Sequence, residues 1–303
     1  MIPTPDPRLD AILQKVRRIE LSTRGLVDAL RAGRYSSRFR GRGMAFDEVR
    51  EYVPGDDVRT IDWNVTARAG TPFVKQFVEE RELRILLLVD VSGSTAYGSV
   101  GQSRRELAAE VAGVLAFAAA SGHDQVGVVL FSDRVEAYVP PGGGRRHALR
   151  VVQTILDTEP LGVGTDFEVA ATFASDVMKR RGVVVVVSDF LARAGGDDLL
   201  EDALRRLRGR HDVVAVQLVD PAEITLPDVG RVVVEDAEGG DVVVLHAGDP
   251  AVRRRYAELA RAKLDAVERA CWGAGVDHLT LVAGSPWEAP LAEFFERRPR
   301  RMS

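Results

Sequence analysis

The sequence predicts an α/β protein: a doubly wound, mostly parallel sheet, preceded by an N-terminal helix and a small β extension. The first indication is Leu83–Ser94, LRILLLVDVSGS, where the apolar run Ile85–Val89 ends abruptly in Asp90. A short run apolar on both faces is the pattern of a central strand covered by helices on both sides. The second is Val183–Val187, another such run, which ends in Ser188-Asp189. The third is the regular alternation of helix-period and strand-like segments between and after these two runs, which calls for βαβ crossovers.

Taken in order, residues 8–32 carry apolar side chains at Leu9, Ile12, Leu13, Val16, Ile19, Leu26, Val27 and Leu30, with Gly33 beyond, as an amphipathic helix does. Arg34–Gly43 groups four arginines around two aromatics. Phe46–Tyr52 and Phe73–Val78 read as strands on either side of a Pro54-Gly55-Asp56-Asp57 turn. Arg50, Arg59 and Arg68 interleave with Glu51, Asp56, Asp57 and Asp62, a pattern expected to form an ion-pair network joining this segment to the main domain. Trp63, set between Asp62 and Asn64, is expected to be buried.

Beyond Ser94 the expected elements are helix 104–120, strand 125–131 with 134–139 as an antiparallel edge, and helix 146–156. A glycine-flexed loop 161–166 leads into helix 166–181 and strand 183–187. Helix 197–209, strand 213–219, a hairpin over 231–245, helix 250–272, strand 278–282 and a helix near 287–297 complete the chain.

The strand-end residues carry the chemistry. Asp90, Ser92 and Ser94 present one carboxylate and two hydroxyls at the carboxyl end of a parallel strand, where α/β proteins bind ligands. That oxygen set suits a hard divalent cation such as Mg²⁺. The same three residues also suit a turn followed by a helix N-cap.

Composition excludes several classes. A net charge of −4 gives no electrostatic footprint for nucleic acid, and with only four lysines among 41 basic residues, arginine clusters arise by chance. Cys271 is the single cysteine, so no internal disulfide forms and a reducing, cytoplasmic setting is expected. No window approaches a membrane span, and MIPTPDPRLD lacks the basic and apolar regions of a signal peptide.

The string Gly43, Asp47-Glu48-Val49-Arg50-Glu51-Tyr52, Pro54-Gly55-Asp56-Asp57-Val58-Arg59, Ile61-Asp62-Trp63, Ala67-Arg68 and Glu79-Glu80-Arg81-Glu82 resembles the signature of the bacterial domain of unknown function 58 family. The resemblance implies that a von Willebrand factor A-like domain follows. The chain then divides into an N-terminal helix and signature segment (1–82), an A-like domain (83–298) and a short tail (299–303). It further implies a metal-ion-dependent adhesion site built from Asp90, Ser92 and Ser94 with Thr165 and Asp189 from two later loops, holding Mg²⁺ or Mn²⁺. Members are associated with MoxR-type AAA+ ATPases. The expected role is thus a non-catalytic, metal-dependent adaptor between such an ATPase and a client protein in chaperone-like assembly. Phe190 departs from the family pattern, which often has glycine there, and is expected to restrict access to the site.

An enzyme is the principal alternative. Mg²⁺-dependent phosphoryl-transfer hydrolases of the haloacid dehalogenase type also place an aspartate after a central strand, but use a second one two residues on as acid/base; Ser92 stands there. His123, His147, His211, His246 and His278 show no zinc spacing, and His211 and His278, at strand starts, are expected to be surface or hydrogen-bonded residues. The chain has neither a Gly-x-Ser-x-Gly elbow nor a Gly-x₄-Gly-Lys-Ser/Thr loop.

Overall fold

The computed structural model describes residues 14, 44–79, 82–162, 164–191, 197–235 and 242–298. The expected N-terminal helix apart from Gln14, the Arg34–Gly43 segment, Glu80, Arg81 and the tail lie outside the described residues. The chain forms two compact units, one of residues 36–83 and one containing residues 84–303.

In the smaller unit, β1 (Met44–Glu51) pairs antiparallel with β2 (Phe73–Glu79), with a bulge between Phe46 and Glu48. The acidic residues between the strands act mostly on backbone. Asp57 accepts the Arg59 amide at 2.9 Å and caps a 3₁₀ turn, Val58–Thr60. Asp62 accepts the Asn64 and Val65 amides at 2.9 and 3.2 Å and caps α1 (Trp63–Ala69). Gly70, at φ +76°, ends α1 in the left-handed region that glycine occupies without strain. Of the expected arginine–carboxylate pairs, Arg50 and Asp56 form one, held by two hydrogen bonds of 2.8 and 2.7 Å. Hydrogen bonding to Arg50 holds the Asp56 carboxyl below its ordinary range. Trp63 corrects the expectation of burial: it opens α1 with 70% of its surface exposed.

The larger unit holds a six-stranded sheet in the order β10-β7-β6-β3-β4-β5. β3 (Arg84–Asp90) is central, parallel to β4 (Gln125–Phe131) on one side and β6 (Val183–Ser188) on the other. β7 (Asp212–Val219) and β10 (Asp277–Val282) continue the parallel run, and β5 (Val135–Gly142) closes the other edge antiparallel to β4. This is the doubly wound, mostly parallel arrangement with one antiparallel edge that the sequence predicts. The connecting helices are α2 (Arg104–Ser121), α3 (Arg145–Asp157), α4 (Phe167–Val177), α5 (Asp197–Arg208), α6 (Pro221–Ile224), α7 (Pro250–Gly273) and α8 (Glu288–Arg297).

The strand period of two sorts the layers. Leu86, Leu88, Val184 and Val186 pack with Phe167 of α4, Leu204 of α5 and Cys271 of α7 in one apolar cluster. The alternate residues Ile85, Leu87 and Val89, also buried, point to the opposite face, where α2 and α3 pack on the sheet and on each other. Helix 166–181 is shorter than its periodicity indicates, ending at Val177, because the chain must turn to feed β6. Buried Met178 begins that turn, and Gly182 passes so close to β3 that a Cβ would fall 2.4 Å from the Arg84 carbonyl oxygen.

The amino ends of the strands are held electrostatically. Arg298, with 11% of its side chain exposed, donates from Nε to Asp277 at 2.6 Å and from Nη2 to Asp212 at 2.8 Å, bridging the starts of β10 and β7. His278 lies 3.1 Å from the Gln217 amide oxygen, as expected of a hydrogen-bonded histidine. His211 departs from expectation: it is buried, neither ring nitrogen has a hydrogen-bond partner among the described residues, and burial lowers its pKa. Beyond the sheet, β8 (Arg231–Glu235) and β9 (Val242–His246) form a separate antiparallel ribbon. Among the described residues, no helix is long and apolar enough to cross a membrane.

Two substitutions separate these roles in chemical denaturation. Trp63→Ala should change stability by about 0.5 kcal/mol or less, as expected of an exposed side chain. Arg298→Ala, which strips two largely buried carboxylates of their cation, should cost roughly 3 kcal/mol. A large loss in the first, or none in the second, would contradict the burial described.

Candidate metal centre

The order of the sheet locates the site. From β3 the chain winds outward to β4 and β5, then returns to place β6 on the other side of β3, so the winding reverses between β3 and β6. Strand ends diverge into a crevice at such a point. Asp90 ends β3, and Ser188 and Asp189 end β6.

Asp90 is 1% exposed. Its Oδ1 accepts the Ser92 amide at 2.9 Å, and its Oδ2 accepts the Ser188 hydroxyl at 2.6 Å and the Thr165 hydroxyl at 3.4 Å. Ser92 Oγ and Ser94 Oγ lie 3.2 Å apart, and Ser94 Oγ donates to Asp189 Oδ2 at 2.7 Å. All five residues expected at the site therefore converge on one set of oxygens. The plain capping alternative fails on a particular point. Ser92 occupies the N-cap position of a 3₁₀ turn, Gly93–Ala96, yet its hydroxyl makes no capping bond, and α2 is capped instead by Ser103 in a reciprocal box with Glu106.

Thr165 is placed by a loop pinned at both ends. Glu136 on β5 accepts the Leu161 and Gly162 amides at 3.1 and 2.7 Å, and the Asp166 amide donates to the Ser132 carbonyl at 3.0 Å. Asp166 then caps α4. After Asp189 the chain turns sharply: the Leu191 amide returns to Asp189 Oδ1 at 3.0 Å and the Phe190 amide to Ser188 Oγ at 2.8 Å. This turn puts Phe190 at φ +56°, the left-handed region where glycine is the unstrained choice. The cost is offset by burial, because the ring stacks on Phe167 with centroids 5.3 Å apart inside the apolar cluster. The expected obstruction is thus a core side chain.

Three further residues complete the site, none of them found from sequence. Ser188 is the donor to Asp90 already described. Arg104, buried in the first turn of α2, donates from Nη2 to the Ser94 carbonyl, and its Nη1 pairs with Glu223 and with Asp189 Oδ2, the latter at 3.3 Å. Asp220, just past β7, accepts the Ser99 amide at 2.7 Å and the Ser99 hydroxyl, tying the loop after Ser94 to a third strand end. Asp220 was visible by the rule that picked out Asp90 and Asp189, an acid directly after an apolar strand. Arg104 had a weaker signal: a cation in the first helical turn opposes the helix dipole and needs another reason to be there.

The electrostatics are unequal. Asp189 faces Arg104, whereas among the described residues no cation pairs with Asp90. Burial first, and then the charge of Asp189, push the Asp90 pKa up to about 7. A buried carboxylate without a counter-ion, ringed by hydroxyls and a second carboxylate, fits a hard divalent cation. Two carboxylates and three hydroxyls offer neither nitrogen nor sulfur, and no group of three His, Cys, Asp or Glu side chains converges among the described residues, so a zinc-type ligand set is not what this site presents.

The raised pKa has a consequence for the metal-free protein. The folded state holds the Asp90 proton more tightly than an unfolded chain, with its ordinary value of 3.8. That contribution is complete below the unfolded value, declines as pH rises and is gone above about 7. Chelator-treated wild type should therefore lose stability relative to Asp90→Asn across this window, as read by melting temperature against pH; parallel profiles would rule the shift out.

The chain matches the family described as protein of unknown function DUF58 over residues 48–266. It is 36% identical over 297 residues to an uncharacterized protein of Mycobacterium tuberculosis, covering 97% of this chain and 91% of that one. Among solved structures it is similar to the conserved hypothetical protein BatB from Bacteroides thetaiotaomicron (16% identity, TM-score 0.44, 71% of this chain and 96% of that one). It is also similar to von Willebrand factor type A from Catenulispora acidiphila (12% identity, TM-score 0.41, 74% of this chain and 42% of that one). By the extent of the family match and of the mycobacterial relative, this chain belongs to the DUF58 family.

Proposed function

We propose that this protein is a non-catalytic, metal-dependent protein-binding adaptor whose partner docks at the carboxyl edge of the sheet. The observation that carries the reading is Asp90: a buried carboxylate with no cation beside it among the described residues, accepting hydroxyls from Ser188 and Thr165, far away in the chain. Asp90, Ser92, Ser94, Thr165 and Asp189 would hold Mg²⁺, and Mn²⁺ has the same oxygen and octahedral preferences. When bound, the ion supplies a Lewis-acidic position that a partner carboxylate completes.

The protein's own groups set the selectivity. Arg104 offsets the charge of Asp189, so the first shell brings little more than one uncompensated carboxylate to a divalent ion. The excess positive charge favours an anionic ligand from the partner over a neutral one. The turn at Phe190 and the pinned loop before Thr165 fix the two later donors before any ligand arrives, which lowers the ordering cost of binding.

In this reading the partner is a MoxR-type AAA+ ATPase and the outcome is assembly or maturation of a client protein, with nucleotide chemistry residing in the ATPase. The phosphoryl-transfer alternative gains no support from the site. The position two residues after Asp90 is a buried serine whose hydroxyl meets another serine, and it offers no carboxylate for proton transfer.

Isothermal titration of Mg²⁺ and of Mn²⁺ into chelator-treated protein should give binding heat that Asp90→Ala abolishes. Capture of the ATPase should require the metal and fail in Asp90→Ala. Capture that is equal with and without chelator would sink the adhesion mechanism.

A further inference from the structure

The ribbon of β8 and β9 is a sheet separate from the one that carries the metal centre and has an unusual surface. Val233, Val242, Val243 and Val244 are 66%, 59%, 53% and 54% exposed. The three on β9 are consecutive, so both faces of the ribbon present apolar side chains to solvent. Among the described residues each strand pairs only with the other, leaving an outer edge on each that no described strand occupies. Exposed edges invite strand addition, and proteins usually blunt them with charge, proline or a bulge. β8 runs through its pairing with β9 in unbroken register and carries charge only at its ends, as Arg231-Val-Val-Val-Glu235.

That charge pattern identifies the occupant. Antiparallel addition of β8 to the β8 of a second copy, centred on Val233, sets Arg231 of each copy opposite Glu235 of the other. Val232 then meets Val234, and Val233 meets itself on the two-fold axis. Every cross-strand position is matched, twice over, as a closed isologous interface requires. Parallel addition would oppose arginine to arginine and glutamate to glutamate. The β9 edge, Val242–His246, has no acidic residue with which to match itself.

We propose that β8 is the contact strand of a two-fold symmetric dimer of this chain, formed by antiparallel edge addition. Sedimentation velocity on the full chain over a concentration series should show a monomer–dimer equilibrium. Arg231→Glu and Glu235→Arg each put like charges in register at both ends, so each should weaken the dimer about tenfold or more. The double swap restores opposite charges across the axis and should return the dissociation constant to within about threefold of wild type. Because Arg231 and Glu235 lie at opposite ends of one strand, only pairing between copies predicts that rescue. Val233→Lys, which places two ammonium groups on the axis, should abolish the dimer and serves as the second route if a swapped chain does not fold. A chain that is monomeric at every concentration, a dimer insensitive to Val233→Lys, or a double swap no better than the single ones would overturn the proposal.

Discussion

A single carboxylate sets the terms for the rest of the larger unit. Asp90 ends the central strand where the sheet's winding reverses, so it is buried by construction, with parallel strands on both sides and helices above and below. Burying a charge is costly unless something compensates it. Here the compensation is deliberately incomplete: two hydroxyls and an amide donate to the carboxylate, and the guanidinium nearby is spent on Asp189. The fold thus keeps a buried carboxylate whose charge no cation balances among the described residues.

Much of the surrounding polar structure keeps that point fixed. Arg104 reaches from α2 to the Ser94 carbonyl, to Asp189 after β6 and to Glu223 in α6, so one side chain spans the loops that follow β3, β6 and β7. Asp220 adds a second tie by holding Ser99. Glu136 does the same for the loop that carries Thr165, from the antiparallel edge of the sheet. Each strand end would otherwise move as an independent loop, and a ligand would have to order them on arrival. The site is built as a small ionic lattice that ties together the loops around Asp90.

What was legible in the sequence follows from the same division. The apolar runs of β3 and β6 and the acids that stop them are local patterns, so the strands, their central place in the sheet and the candidate ligands could all be read from them. From Ser94 onward the helix–strand alternation gave most elements to within a few residues, apart from the helix before β6, which stops early ahead of Gly182, while α1 and α6 were not anticipated and the expected N-terminal helix lies outside the described residues. Arg104 and Ser188 escaped because their roles exist only between loops distant in the chain, whereas Asp220 carried the same local pattern as Asp90 and Asp189 and was passed over. Trp63 was misjudged for a related reason: a large apolar side chain is on average buried, but nothing local says which neighbour would cover it, and its acidic neighbour Asp62 serves as a helix cap instead. Phe190 shows the converse, a residue whose backbone obeys the glycine rule while its side chain obeys the core.

The two ends of the sheet divide the labour. At the amino ends of the strands Arg298 satisfies Asp212 and Asp277 together, and burial lowers the pKa of His211 just before β7. The Arg298 pairing contributes stability at this end of the sheet. At the carboxyl ends, Asp90 and Asp189 lie close together with Arg104 pairing only the second of them among the described residues, and Glu223 is held with a raised pKa by its own burial despite that arginine. A parallel sheet makes the asymmetry available, since all its parallel strands deliver their ends to the same edge. Because the stabilising contacts sit at the opposite edge, the charge frustration at the carboxyl edge is tolerated without endangering the fold. On the proposed function, that separation leaves the carboxyl edge to take up a cation and a ligand from a partner.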